Sequence, residues 1–98
     1  MKQVYILYSP GLDIYYKGQT SDLDERLKYH NSGYETSTSK GVPWTLVWST
    51  AKATRQEAML LEKKLKNLSW VRLEKFMSKY SEGLSESIIK DRIIRISQ

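Results

Sequence analysis

Tyr5, Tyr16, Arg26, His30 and Glu62 are side chains of types that can handle phosphates and hard cations. Breaking a phosphodiester requires that a water lose a proton, that phosphate charge be neutralised and that the leaving oxygen be stabilised. A guanidinium is a planar, permanently charged fork matched to phosphate, which suits Arg26. A carboxylate such as Glu62 is a ligand for a divalent metal, because hard cations take oxygen donors. Tyrosine has a pKa of about 10 and serves as a base near neutrality only where a cation lowers that value. Arg26 and Lys17 are the cations available to do so. Each residue has a plainer alternative. Tyr5 and Tyr16 are two of seven tyrosines and read equally as strand aromatics in a core. Glu62 stands four residues before Lys66, and Asp22 four before Arg26, the spacing of exposed helical ion pairs. His30 is the only histidine, shares a helix face with Arg26 and reads otherwise as an ordinary surface side chain.

These residues need elements to hold them. Val4-Tyr5-Ile6-Leu7-Tyr8 is apolar and aromatic throughout, as in a strand covered on both faces. Ser9-Pro10-Gly11 breaks it, since Pro lacks a donor and Gly tolerates φ > 0. Ile14-Tyr15-Tyr16-Lys17-Gly18 reads as its hairpin partner. Tyr5 and Tyr16 then lie on neighbouring strands within reach of one site, and Gly18 lets something approach the backbone. Ser21 or Asp22 caps a helix from Leu23 to Asn31, with Leu23 and Leu27 as its buried stripe and Ser32-Gly33 as its stop. Thr36-Ser37-Thr38-Ser39-Lys40-Gly41 has nothing apolar to bury and reads equally as a solvated linker or as a loop of small hydroxyls and a Lys that contacts phosphates. Trp44 to Ser49 is a third strand, with Leu46 and Trp48 expected on one side and Thr45, Val47 and Ser49 on the other.

Thr54-Arg55-Gln56-Glu57 is a capping box that opens a helix running to about Leu68. Its apolar stripe is Ala58, Leu61, Leu65 and Leu68, and Glu62 borders it. Ser69 caps a helix from Trp70 to Tyr80, with Val71, Leu73, Phe76 and Met77 available for burial. Ser85-Glu86-Ser87 opens a last helix carrying Ile88, Ile89, Ile93, Ile94 and Ile96. Three strands with intervening helices predict an α+β domain, its small sheet covered on both sides. One domain fits residues 1–98, with 81–98 as a C-terminal helical extension.

Composition narrows the field. Sixteen Lys and Arg against eleven acids leave a net charge of +5, which favours polyanions and nucleic acid above all. The absence of Cys excludes disulfides and thiolate metal sites and is compatible with a cytoplasmic protein. The N-terminal apolar run is too short for a signal peptide or a membrane span, so no membrane partner is expected.

The motifs add a resemblance. Val4-Tyr5-Ile6 and Tyr16-Lys17-Gly18, followed by Gln19-Thr20-Ser21-Asp22-Leu23, Arg26 and His30, resemble the signature run of the GIY-YIG nucleases, with Glu62 on a later helix. The likeness covers about residues 2 to 75 and is greatest to small stand-alone bacterial members, which are similar to the nuclease half of the repair protein UvrC. Val4 stands where the signature has its first Gly, and Lys17 where it has its second Ile. The resemblance implies a three-stranded antiparallel sheet flanked by helices and hydrolysis of DNA with Mg²⁺ or Mn²⁺. It implies Glu62 as the single metal ligand, Tyr5 as general base with Tyr16 beside it, Arg26 on the scissile phosphate and His30 orienting water or phosphate. Gly18 and Thr20 would shape the floor of the site. Lys17 and Lys40 are further candidates for phosphate contacts, Lys17 because Gln19 occupies a position that UvrC-like proteins usually fill with Lys. The Asn expected about twelve residues after Glu62 is missing, and Asn67 lies nearer.

With no second module to read sequence, the DNA would be selected by its structure or by a partner. Two other functions fit the composition. One is a nucleic-acid-binding module without catalysis, using Trp44, Trp48 and the basic helices. The other is a protein-interaction domain presenting Ile88-Ile89 and Ile93-Ile94, as a monomer or weak dimer. The complete set of five residues favours the enzyme, since a metal carboxylate in a binding-only groove would repel DNA.

Overall fold

The computed structural model of the chain describes residues 1–96. β1 (Lys2–Ser9) is the central strand of a three-stranded antiparallel sheet. β2 (Ile14–Thr20) pairs along one side of it and β3 (Thr45–Lys52) along the other. Helix α1 (Leu23–Asn31) follows β2, and α2 (Arg55–Lys66) follows β3. The helices α3 (Trp70–Lys79) and α4 (Lys90–Arg95) come last. The architecture is α+β, as the sequence predicts. β1 does not alternate because it is central and covered on both faces, so Val4 through Ser9 are all buried.

The two faces of the sheet carry different cores. On one, Val4, Ile6 and Tyr8 pack with Ala58, Leu65, Leu73 and Ile93, contributed by α2, α3 and α4. On the other, Tyr5 and Leu7 pack with Trp44, flanked by half-buried Leu23 and Leu27 of α1. The caps follow the sequence. Asp22 accepts from the Glu25 amide (3.1 Å), Thr54 from the Glu57 amide (3.2 Å) and Ser69 from the Arg72 amide (3.3 Å). The Glu57 carboxylate meets the Thr54 hydroxyl at 3.1 Å rather than the Thr54 amide.

Four local expectations are corrected. In the hairpin turn the left-handed residue is Asp13 (φ 54°), not Gly11, and its carboxylate is held there by the Tyr8 hydroxyl at 2.6 Å. In β3 a bulge interrupts the pairing: Ile6 faces Trp48, but Leu7 faces Leu46. Val47 and Trp48 therefore both enter the larger core while Leu46 joins the smaller one, and the predicted alternation fails. In α3 Val71 points to solvent. The last helix is α4 alone, short of the predicted start at Ser85.

The C-terminal isoleucines divide. Ile89 and Ile93 close the larger core, whereas Ile88 is exposed. The four-isoleucine docking face considered from sequence is therefore not formed. Arg92 of α4 also donates to Glu74 of α3 (2.9 Å) and to the Tyr15 hydroxyl of β2 (3.1 Å), and Tyr15 donates to Glu74 (2.6 Å). The predicted extension runs on to residue 98, and its last two residues lie outside the described range. Among the described residues no helix is long and apolar enough to cross a membrane.

Candidate active site

The antiparallel register assembles the first part of the site. Tyr5 lies opposite Gly18 and Leu7 opposite Tyr16, so the two tyrosines are diagonal neighbours on one face, ring centroids 6.3 Å apart. Gly18 has a specific steric role here. A Cβ on it would stand 2.6 Å from Tyr5 Oη and 2.8 Å from Tyr5 Cζ. What approaches the Gly18 backbone is thus the Tyr5 phenol itself.

Helix α1 brings the next two residues over this face. Arg26 and His30 are one turn apart, as their spacing requires. His30 is completely buried, not a surface side chain. Its Nε2 lies 3.0 Å from Tyr5 Oη, and its ring packs edge-on against Tyr16 with centroids 4.7 Å apart. Arg26 lies near enough to the same Tyr5 oxygen for its guanidinium to favour the ionised phenol. Its Nε is buried without an acceptor among the described residues. Thr20 braces the entry to α1, its Oγ1 accepting from the Asp22 amide at 3.1 Å. Thr20, Asp22, Glu25, Arg26 and Tyr29 line a cleft of about 250 Å³.

Glu62 comes from α2, on the other side of the sheet. Alternation along β2 sends Lys17 and Gln19 toward that side and Tyr16 and Gly18 toward α1. β2 is an edge strand, so the two groups meet around its margin. Gln19 Nε2 donates to Glu62 Oε1 at 2.9 Å, and Lys66 Nζ lies 2.7 Å from Glu62 Oε2. Glu62 is close enough for its charge to disfavour ionisation of Tyr5. The expected Glu62–Lys66 ion pair exists, on a carboxylate only 17% exposed. Gln19, Met59, Glu62, Lys63, Lys66 and Asn67 line a second groove, of about 440 Å³. Asn67 thus reaches the neighbourhood of Glu62 as a groove-lining residue. Lys40 stands exposed in the 3-10 turn Ser39–Gly41, and among the described residues no hydrogen bond or ion pair ties it to the other candidates.

The electrostatics run against one expectation. Burial pushes the Tyr5 hydroxyl up to about 12; the nearby Arg26 guanidinium only partly offsets this. The cation does not make Tyr5 acidic in the free protein. Burial and the nearby Arg26 charge lower His30, so its imidazole is neutral near pH 7. Burial and the charge of Lys66 lower Lys17 as well.

No cluster of three or more His, Cys, Asp or Glu among the described residues could hold a metal ion. The donors beside Glu62 nevertheless suit Mg²⁺. Gln19 Oε1 is buried there without a partner, an amide oxygen next to a carboxylate. Mg²⁺ is typically held by one or two protein oxygens, with waters and substrate phosphates completing the shell.

Two contributors were missed from sequence. The sequence places Gln19 where similar proteins carry Lys; in the structure it is a partner of Glu62. The sequence places Thr38 in a polar loop; in the structure it is buried, with Oγ1 3.3 Å from His30 Nδ1. Local sequence carries no signal for Thr38, because its burial comes from contacts outside its own loop. The Trp44 indole donates to the Thr38 carbonyl at 2.8 Å, and Asn31 binds both backbone groups of Trp44.

Residues 1–81 match the GIY-YIG catalytic domain. A UPF0213 protein of Halalkalibacterium halodurans, BH0048, is 37% identical over 65 residues, which cover 65% of this chain and 69% of that protein. A UPF0213 protein of Streptococcus pneumoniae is 35% identical over 65 residues, covering 65% of this chain and 66% of its own. The aligned residues span about two thirds of both relatives. The solution NMR structure of BH0048 superposes with a TM-score of 0.53 at 36% identity, covering 80% of this chain and 84% of that one. With the domain matched over residues 1–81, most of the chain, this protein belongs to the GIY-YIG family.

Proposed function

We propose that this protein is a metal-dependent endonuclease that hydrolyses phosphodiester bonds in DNA, built as a single domain with the segment from residue 81 onward as its C-terminal extension. The observation that carries this reading is the convergence of Arg26 and His30 on the Tyr5 oxygen, three groups from β1 and α1 brought to one atom.

Their chemistry suits in-line hydrolysis. Tyr5, held up at about 12, is a neutral phenol near pH 7 and accepts a proton only if it passes its own on. His30 Nε2, 3.0 Å away, is the acceptor within reach. A water then gives its proton to Tyr5 Oη while the Tyr5 proton moves to His30, and the resulting hydroxide attacks phosphorus. The bond to the leaving oxygen breaks, and that oxygen takes a proton from a second water. Arg26, with its Nε lacking an acceptor, grips the phosphate. Glu62, with Gln19 Oε1 beside it, would hold Mg²⁺ or Mn²⁺. Such a cation supplies charge neutralisation at the phosphate and stabilisation of the leaving oxygen. Tyr16 packs against His30 and keeps the imidazole in place.

Lys63, Lys66 and Arg55 give the nucleic acid a route past Glu62. The groove beside Glu62 shares Met59 and Lys63 with a neighbouring groove that runs on to Arg55 and Leu60. Cations interleaved with exposed apolar side chains favour a substrate with unpaired or distorted nucleotides, hence structure-selected DNA. Lys17 and Lys40 are further candidate phosphate contacts.

The test is cleavage of labelled single-stranded, duplex, flapped and branched DNA with Mg²⁺ or Mn²⁺, by wild type and Glu62→Ala. Metal-dependent cutting that falls by at least about 100-fold in the variant is expected. Binding without cutting under every metal condition would leave a nucleic-acid-binding module instead.

A further inference from the structure

Tyr5 acts in the direction proposed only if its proton points at His30. Whether it does depends on which ring nitrogen of His30 carries hydrogen. With hydrogen on Nδ1, Nε2 is an acceptor, Tyr5 donates to it, and Tyr5 Oη keeps a lone pair for a water proton. With hydrogen on Nε2, Tyr5 Oη accepts from His30. Its own proton is then forced toward the substrate, and Tyr5 becomes an acid rather than a base.

The contacts of Thr38 distinguish these two states. Its Oγ1 lies 3.3 Å from His30 Nδ1 and donates to the Glu35 carbonyl at 3.4 Å. The Nδ1–H form makes an unbroken chain: Tyr5 Oη to Nε2, Nδ1 to Thr38 Oγ1, Thr38 Oγ1 to Glu35 O. The Nε2–H form turns the Thr38 proton to Nδ1, takes it from Glu35, and leaves the Tyr5 proton without a protein acceptor among the described residues, so two donations of the first form, Tyr5 to Nε2 and Thr38 to Glu35, are given up. Giving up protein hydrogen bonds is costly, so the first form is favoured. Thr38 is itself held in place. It is 2% exposed, its amide donates to the Glu35 carbonyl at 3.1 Å, and its carbonyl accepts from the Trp44 indole.

We infer that Thr38 is a positioning residue that holds His30 in the Nδ1–H tautomer and so orients Tyr5 as a proton acceptor. Its consequence for catalysis rests on the nuclease reading above, but the tautomer itself does not. Histidine ligands of metal enzymes are fixed in the same manner, by a partner on the nitrogen remote from the chemistry.

The chain has one histidine, so nitrogen-detected NMR of its ring reports the tautomer without assignment ambiguity. The measurement is made on the free protein near neutral pH, with neither metal nor DNA. Wild type and Thr38→Ser are expected in the Nδ1–H form, and Thr38→Val is expected to lose that preference. Cleavage is expected to fall about tenfold in Thr38→Val and to recover in Thr38→Ser. An Nε2–H wild type overturns the inference, whether or not any variant folds. So does a Thr38→Val protein with the wild-type tautomer or with undiminished cleavage. A protein that never cuts DNA but shows the expected tautomer shift would sink the nuclease reading and leave the positioning role standing.

Discussion

His30 is completely buried and ringed by aromatic and charged side chains. Tyr5 of β1, Tyr16 of β2, Arg26 and Tyr29 of α1 and Glu35 of the following loop surround it. Burial and Arg26 oppose its protonation, and only Glu35 favours it. A histidine lowered in the folded state takes up its proton more readily when unfolded. Its contribution to stability is therefore complete above about pH 6.5 and is lost as pH falls. The thermal midpoint of wild type is expected to decline between about pH 7 and about pH 5, and His30→Gln to show a flatter profile. Equal slopes in calorimetric scans of the two proteins would move the acid sensitivity to other groups.

At the scale of elements, the site depends on the register between β1 and β2. Gly18 faces Tyr5 directly, and a methyl there would meet a ring already fixed by His30. The ring cannot withdraw, so Gly18→Ala is expected to lose about 1–3 kcal/mol of stability and to lower cleavage through displacement of Tyr5. Denaturant unfolding and the cleavage assay check this together. A fully stable, fully active Gly18→Ala would show that Tyr5 does not occupy the space over that strand. Much of this level was legible beforehand. The hairpin, the Asp22, Thr54 and Ser69 caps and the stripe of Ala58 and Leu65 follow from short-range rules of strand and helix periodicity. The bulge at Val47 was not legible, because it arises where β3 fits a central strand already committed to β2.

For the molecule as a whole, the C-terminal segment belongs to the core rather than to a free face. Ile93 is completely buried among residues of β1, α2 and α3, and Arg92 links α4 to Glu74 and Tyr15. Ile93→Ala is expected to cost about 2–5 kcal/mol, measured by urea unfolding with the slope unchanged. A loss below about 0.5 kcal/mol would mean that α4 is detached in solution. The same sheet separates Tyr5, Arg26 and His30 from Glu62 and rejoins them around the exposed margin of β2. A site of this kind opens onto surface, where an extended polyanion can lie across both sides.

Residue types and their spacing by themselves determined the three strands, the capped helices and the basic charge, while Tyr5, Tyr16, Arg26, His30 and Glu62 came together as a set only through the motif resemblance. Those are consequences of local periodicity and of motif order, which a linear chain carries in full. Only the tertiary structure decided that His30 is buried, that Gln19 holds Glu62, that Thr38 reaches His30 and that burial outweighs Arg26 at Tyr5. Each of those depends on how much water is excluded between elements distant in sequence. Desolvation is a property of the assembled volume and of no single segment.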